Sequence, residues 1–564
     1  MKHDGEKRRA NSATGAPKYG MGRKPKHTRR LTLLAFAAAL CAEPAVVHAF
    51  AFSFDNPDLS GDFNTTLSYS TAYRIRPADS NLLFSPNNPT AINLDDGNNA
   101  FRHRGIVENR FEVFSELDLK YKSFGLRVSG EAYYDTMYNR HNASNSPFTT
   151  NNLSVPYNQF TDAAARQQGR QAELLDAFLY GTQKIGAVPV TVRVGQLGQM
   201  WGETLFFGAN GIAGGMVPVD IGKLLSDPSA EFKQIVLPVP QATLSAQLPY
   251  HLTFGAYYQF GWRSDELPPA GTYFSSADIV GRGAESVFLP IPGFPSQLAR
   301  ASDLKGDNTG QFGFQLKFSP TGWNTDFGLY WIRFNAKDPQ LYAAPVLANY
   351  RMVYPNGVRS FGASFSTNLG DANVAGEVSM RENMPLASDL VVDFTGAGNN
   401  TGNPLYATGK TAHANLSMLY SVPRTPLWRD ATLAAEIGWN RRLSISANAQ
   451  ALDPNATRDA IGFQIVFSPS YYQVLPGLDI NVPIGIGYNP VGRSSVVGFN
   501  GGGYHTGNFT LGVKGVYEQV WNVSLNYTRY LGAGQPLLDA AGHFTYGQTL
   551  ADRDFISLSL SRSF

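Results

Sequence analysis

Along most of its length the chain repeats one unit: roughly ten residues in which apolar and polar side chains alternate, a tight turn, another such segment, then a long polar connection. Alternation with period two marks a strand with two unlike faces. The stretch from Phe555 to Phe564 carries it to the last residue, with Ile556, Leu558, Leu560 and Phe564 on one face and Ser557, Ser559, Ser561 and Ser563 on the other. Arg110 to Asp135 reads as a whole hairpin. Before the turn at Lys122-Ser123, Phe111, Val113, Leu117, Leu119 and Tyr121 oppose Arg110, Glu112, Glu116, Asp118 and Lys120; after it, Phe124, Leu126, Val128, Ala132 and Tyr134 oppose Arg127, Ser129, Glu131 and Asp135.

Alternation fits a soluble sheet with an apolar core or a membrane barrel with an apolar exterior; the number and spacing of segments separate the two. Candidate strands lie at 64–75, 107–121, 124–138, 172–182, 188–200, 241–249, 251–261, 310–319, 323–334, 357–369, 372–383, 409–421, 429–442, 457–469, 472–487, 503–518, 520–532 and 553–564. Partners are joined by short turns, as at Pro249-Tyr250 and Gly370-Asp371, and successive pairs by long loops, as at 76–106, 139–171, 201–240 and 262–309. This segregation predicts an all-β fold: a transmembrane, antiparallel, up-and-down β-barrel of about 18 strands, with 16 as the alternative count, short periplasmic turns and long extracellular loops. The last strand should close on the first, near Asn64, because a barrel leaves no edge unpaired. No run of 18 apolar residues offers a helical span. Tyr69, Tyr73, Tyr121, Phe124, Tyr258, Phe260, Trp331, Trp439 and Tyr527 fall near strand ends, where interfacial girdles sit. Arg562, on the lipid parity, is expected to snorkel toward headgroups. The terminal Phe564 resembles the assembly signal read by the barrel-assembly machinery.

The first 30 residues hold ten Lys and Arg, followed by the apolar run Leu31 to Leu40, which predicts a secretory signal peptide over 1–49 and a barrel over 50–564. Cleavage would follow Ala49 or Ala51, and translation would start at Met1 or Met21. Cys41, the single cysteine, lies in the signal, so no disulfide or thiolate metal site is expected. Without residues 1–51 the chain carries 36 basic and 41 acidic residues, which offers no nucleic-acid footprint.

Phe52-Ser-Phe-Asp55, Leu67-Ser-Tyr-Ser70, Asn93-Leu-Asp-Asp-Gly97, Asn109-Arg110, Glu116-Leu-Asp-Leu119, Tyr133-Tyr-Asp135, Leu175-Asp176-Ala177, Arg193-Val-Gly-Gln196 and Trp201-Gly-Glu203 together resemble an uncharacterised family of Gram-negative outer-membrane proteins, domain-of-unknown-function family 1302. The resemblance covers essentially the whole mature chain. It implies a place in the cell outer membrane, in contact with its lipid, and transfers no catalytic residue. Members are often encoded beside envelope transport proteins, which implies traffic of small or hydrophobic compounds.

On the lumen parity the pore-lining candidates are Arg110, Glu112, Glu116, Asp118, Lys120, Arg127, Glu131, Asp135, Asp176, Arg193, Glu377, Arg381, Glu436 and Lys514. Their signs are too balanced for a single-sign filter, and cross-strand pairing is the expected arrangement. The loop at 208–240, with a partly helical apolar segment, is expected to fold inward and constrict the pore; Glu203 at its root is a candidate anchor. Val287 to Pro295 and Tyr342 to Tyr354 are apolar for an aqueous surface and would either capture a hydrophobic ligand or pack on one another as a lid. Asn93 to Asn99 offers oxygen ligands for Ca²⁺ without EF-hand spacing, so a turn built on Asx side chains is expected and no metal site. The six histidines beyond the signal are scattered, and no hydrolase or phosphate-binding motif occurs. The expectation is a porin-like, non-enzymatic channel or transporter without cofactor for small solutes, hydrophobic ones included. An outer-membrane hydrolase and a surface-interaction barrel with a blocked lumen are the alternatives.

Overall fold

The computed structural model describes residues 50–53, 56–227 and 232–564. The predicted signal peptide with Cys41 lies outside them, as do Phe54, Asp55 and residues 228–231. One antiparallel sheet closes into a barrel of 18 staves. In chain order these are β1 (Leu59–Arg74), β2 (Gly105–Tyr121), β3 (Phe124–Asp135), β4 (Arg170–Ile185), β5 (Val188–Leu197), β6 (Val239–Leu248), β7 (Leu252–Gln259), β8 (Gln311–Phe318), β9 (Thr325–Phe334), β10 (Val358–Leu369), β11 (Ala372–Pro385), β12 (Thr408–Val422), β13 (Asp430–Ala447), β14 (Asp459–Leu475), β15 (Leu478–Asn481 continuing as Ile484–Val491), β16 (Gly507–Tyr517), β17 (Trp521–Leu531) and β18 (Phe555–Ser563). Closure runs from Thr66↔Ser563 to Arg74↔Phe555, and Phe564 exchanges backbone hydrogen bonds with Thr65 at 2.8 and 3.2 Å. The closing pairing gives backbone partners to the facing edges of the first and last staves over these residues, as a bilayer demands. Phe50–Ser53 pairs with Ser60–Phe63, along the edge of β1 that β18 does not reach.

Most stave boundaries differ from the sequence reading by a few residues, and the turn before the fifteenth stave differs most. The fifteenth stave, expected over 472–487, begins at Leu478, because β14 continues past Pro469 and the chain reverses at Pro476-Gly477. Gly477 has φ +78°, a left-handed conformation that only glycine adopts without strain.

The barrel is inverted relative to a soluble protein. Along β11, Ala375, Glu377, Ser379 and Arg381 are at most 6% exposed, whereas Val378 and Met380 are 57% and 51% exposed. The same outward parity leaves Leu179, Val194, Leu329, Phe361, Leu416, Ile437, Leu525 and Leu558 exposed around the wall, an apolar belt that suits hydrocarbon. Tyr121 and Phe124 at the short-turn end, and Tyr73, Tyr258 and Phe260 at the long-loop end, are also exposed. Arg562 is buried at the strand end, its guanidinium 5.0 Å from the Trp521 ring centroid and 4.7 Å from that of Phe564, a cation–π contact.

At the long-loop end a small sheet forms a roof, in the order Val391–Val392, Gln340–Ala344, Asn349–Val353, Gln297–Arg300, Ser286–Phe288. The two apolar loops singled out in the sequence meet there, and Ile279, Val287, Leu298, Ala343 and Tyr350 bury one another. Beside it Phe101, Tyr138, Phe160, Tyr273, Phe274 and Phe555 form an aromatic cluster where four long loops meet the top of β18.

Candidate functional site

The connection between β5 and β6, residues 198–238, enters the lumen and forms hydrogen bonds with opposite walls. Its first half reaches β11 to β13. Glu377 on β11 accepts from the amides of Glu203 and Ile212, both at 2.7 Å. Glu436 on β13 accepts from the amides of Leu205 at 3.1 Å, Phe206, and Phe207 at 3.0 Å, while its other oxygen takes the Asn415 amide at 2.6 Å. Arg381, two pleat repeats from Glu377, donates to the carbonyls of Ala209, Asn210 and Gly211 at 3.1, 2.9 and 2.7 Å. Two carboxylates thus bind the amides of an irregular segment and one guanidinium binds its carbonyls, which leaves few backbone groups for water. Gly202 and Gly211 make this approach possible, since a Cβ at either would strike the Glu377 carboxylate. Asn210 finishes the contact: its amide donates to Asn415 at 2.7 Å, and its oxygen meets His413 Nδ1 at 2.9 Å and Asn440 at 3.1 Å. Below, Trp201, Ile212 and Met216 pack on Tyr257, Tyr330 and Ile332 of the wall.

The second half turns back across the barrel to β2 and β3. Asp220 caps the short helix Ile221–Ser226, which projects Lys223 between Glu112, at 3.2 Å, and Glu131, at 2.6 Å. Lys233 reaches Glu116 at 2.6 Å and Gln234 reaches Glu112 at 2.8 Å. In a closed ring of 18 staves, β2 and β3 stand about half a circumference from β11 to β13, so the segment is a strap across the lumen. Its upper side adjoins the roof: Asp265 accepts from the Val219 amide at 2.8 Å, and Lys337 donates to the Gly215 carbonyl at 3.2 Å. Beside this contact a cavity of about 290 Å³ is lined by Trp262, Arg263, Glu266, Arg300, Lys305 and Tyr354, among others.

The remaining sequence candidates divide in two. Arg127 bonds Glu116 and lies 3.9 Å from Asp118 and 3.6 Å from Asp176; Asp118 also accepts from the Tyr180 hydroxyl at 2.8 Å. Arg110 lies 4.0 Å from Asp135 and over the Tyr133 ring. No ion pair among the described residues involves Lys120 or Lys514, toward the short-turn end, or Arg193, midway along its stave. Glu203 holds Lys317 at 3.2 Å, and its backbone rather than its carboxylate is what the far wall grips. Lys223, Asn210, His413 and Asn415 escaped the sequence reading. For the last two the signal was present, since they share lumen parity on β12; for the loop residues nothing in the sequence says which wall they meet.

A family model described as "Protein of unknown function (DUF1302)" matches residues 30–564. No curated protein matches. Among solved structures the chain is similar to OccAB2 of Acinetobacter baumannii, at 8% identity and TM-score 0.41, over 89% of this chain and 98% of that one. It is similar to opdK of Pseudomonas aeruginosa at 12% and 0.39, over 89% and 98%, and to a BenF-like porin of Pseudomonas fluorescens Pf-5 at 10% and 0.38, over 90% and 98%. The barrel assignment rests on the strand pairing above and not on these distant likenesses.

Proposed function

We propose that this chain, which belongs to the DUF1302 family, is a porin-like channel of the Gram-negative outer membrane in which the strap at 198–238 is the constriction. The observation that carries this reading is the strap itself, held by buried charges on opposite walls of a closed, polar-lined barrel. In this reading residues 1–49 are the secretory leader, cleaved after Ala49 or Ala51, and Phe564 is the element bound by the barrel-assembly machinery. The lumen-parity charges hold the strap and line what remains of the path. Transport is non-enzymatic, and solute passes on to envelope transport proteins.

The apolar loops bury one another, and the cavity beside the strap mixes cationic, anionic and aromatic side chains. This favours a small polar or amphipathic solute over a purely hydrophobic one. The aromatic cluster at the mouth supports a second reading, a surface barrel with a sealed lumen. Planar-bilayer recording separates them: the channel reading expects discrete conductance from the purified barrel, and silence even after residues 203–236 are replaced by a short Gly-Ser linker would refute it. Deleting Phe564 should lower the yield of heat-modifiable barrel without changing conductance per channel.

A further inference from the structure

We infer that Asp95, Asp96 and Asp278 form a divalent-cation site, suited to Ca²⁺, that ties together three long loops at the barrel mouth. Each of the three offers a carboxylate oxygen within 4.8 Å of those of the other two. Asp95 and Asp96 lie in the loop at 75–104, at the start of the helix Asp96–Ala100, and Asp278 comes from the loop at 260–310. The third loop, 136–169, joins through Thr149 and Asn151, which donate to Asp96 Oδ2 at 2.5 and 2.9 Å.

The second observation is what the hydrogen bonds leave over. Asp95 Oδ2 accepts from the Phe84 amide at 2.8 Å and Asp278 Oδ2 from the Asp96 amide at 2.9 Å. Their Oδ1 atoms are buried with no hydrogen-bond partner, on side chains of residues that are 1% and 0% exposed. Among the described residues none of the three carboxylates makes an ion pair. Buried Arg553 is engaged elsewhere, donating to the carbonyls of Tyr273 and Ser275 and to Asn98 Oδ1, and lying 3.8 Å from Asp552. Buried carboxyl oxygens without partners are costly, and a cation between them would hold them ionised and remove the cost. The donors are all oxygen, which selects a hard cation. A cage of protein carboxylates suits Ca²⁺, which takes 6–8 oxygen ligands in flexible geometry, better than Mg²⁺, which keeps several waters. The Asn93 to Asn99 stretch is then more than a turn: Asp95 bonds the Phe84 amide of its own loop, while Asp96 is bonded by Thr149 and Asn151 of another.

The test uses the full barrel, folded in lipid-free detergent and stripped with EDTA. Equilibrium dialysis with radioactive Ca²⁺ should give one ion per chain, with affinity of order 10⁻⁴–10⁻³ M, as for extracellular Ca²⁺ modules. Asp278→Asn should weaken binding at least tenfold. Asp389→Asn, in the separate Asp389, Asp453, His543 cluster, should leave it unchanged. Absence of stoichiometric binding to the stripped wild-type barrel, wild-type affinity in Asp278→Asn, or loss in Asp389→Asn would overturn the assignment. Should Asp278→Asn not fold, the wild type alone decides: Ca²⁺ should slow proteolysis within 75–104 and 260–310 relative to EDTA, and equal rates would overturn it.

Discussion

The two ends of the strap are held by different chemistry. At the far wall, side chains of β11 and β13 grip main chain: two carboxylates take five amides and one arginine takes three carbonyls. At the near wall the contact is side chain to side chain, with Lys223 placed between two glutamates and Lys233 and Gln234 reaching beside it. A main-chain grip fixes conformation residue by residue, whereas an ion pair fixes one atom and leaves its stem free to rotate. The far end should therefore be the rigid jamb of the constriction and the near end the part that moves.

Removing Glu436 is the largest way to break this contrast. Glu436→Ala orphans three amides and Asn415, and it should destabilise the barrel by about 3–5 kcal/mol in urea titration while raising conductance. Lys223→Met should cost less, about 1–3 kcal/mol, because water can enter beside the two glutamates it leaves; channel recordings should show more frequent transitions with little change in the fully open level. If Lys223→Met proves as damaging as Glu436→Ala, the two ends are equivalent and the contrast fails.

A pH series sharpens the comparison at the roof contact of the near half. Burial, with Asp338 beside it, pushes Asp265 up to about 8, and burial lowers Lys337 to about 8. A carboxyl raised in the fold contributes stability that is full below about pH 4 and is lost as pH rises through about 8; a depressed lysine adds stability only from about 8 upward, toward 10.5. Hydrogen exchange of the Val219 amide, corrected for its intrinsic pH dependence, should thus show protection falling from pH 5 to pH 8. The far-end amides of Leu205 to Phe207 should not follow, and Asp265→Asn should flatten the near-end response. The smallest effect concerns Lys120, Arg193 and Lys514. Replacing all three by Gln should shift the reversal potential in a salt gradient by only a few millivolts toward cations, since they line the path without holding the strap.

The wall was legible in the sequence because every stave obeys period two and one-residue slips would put Glu377 or Glu436 into lipid. Boundaries drifted by a few residues at many stave ends and most where no side-chain pattern marks the turn, as at Pro476-Gly477. The strap was legible as an inward apolar loop, beginning at 208 in the sequence and at 198 in the structure, because Trp201 to Phe207 look like neither strand nor solvent-exposed loop. Its anchors were half legible. Glu377, Arg381 and Glu436 stand out as charges on a lumen face, yet pairing with neighbouring strands is the natural reading, and a loop's backbone as their partner can only be seen in three dimensions. Asp95 and Asp278 lie far apart in sequence, so local spacing could not show that they converge.

In the proposed function the strap narrows a conducting lumen. Single-channel recording of the barrel with residues 203–236 replaced by a Gly-Ser linker, beside the wild type in the same bilayer, decides this. The linker variant should show a severalfold larger and less frequently interrupted conductance, with heat-modifiable folding retained. Equal conductance from the two folded barrels would rule the constriction out.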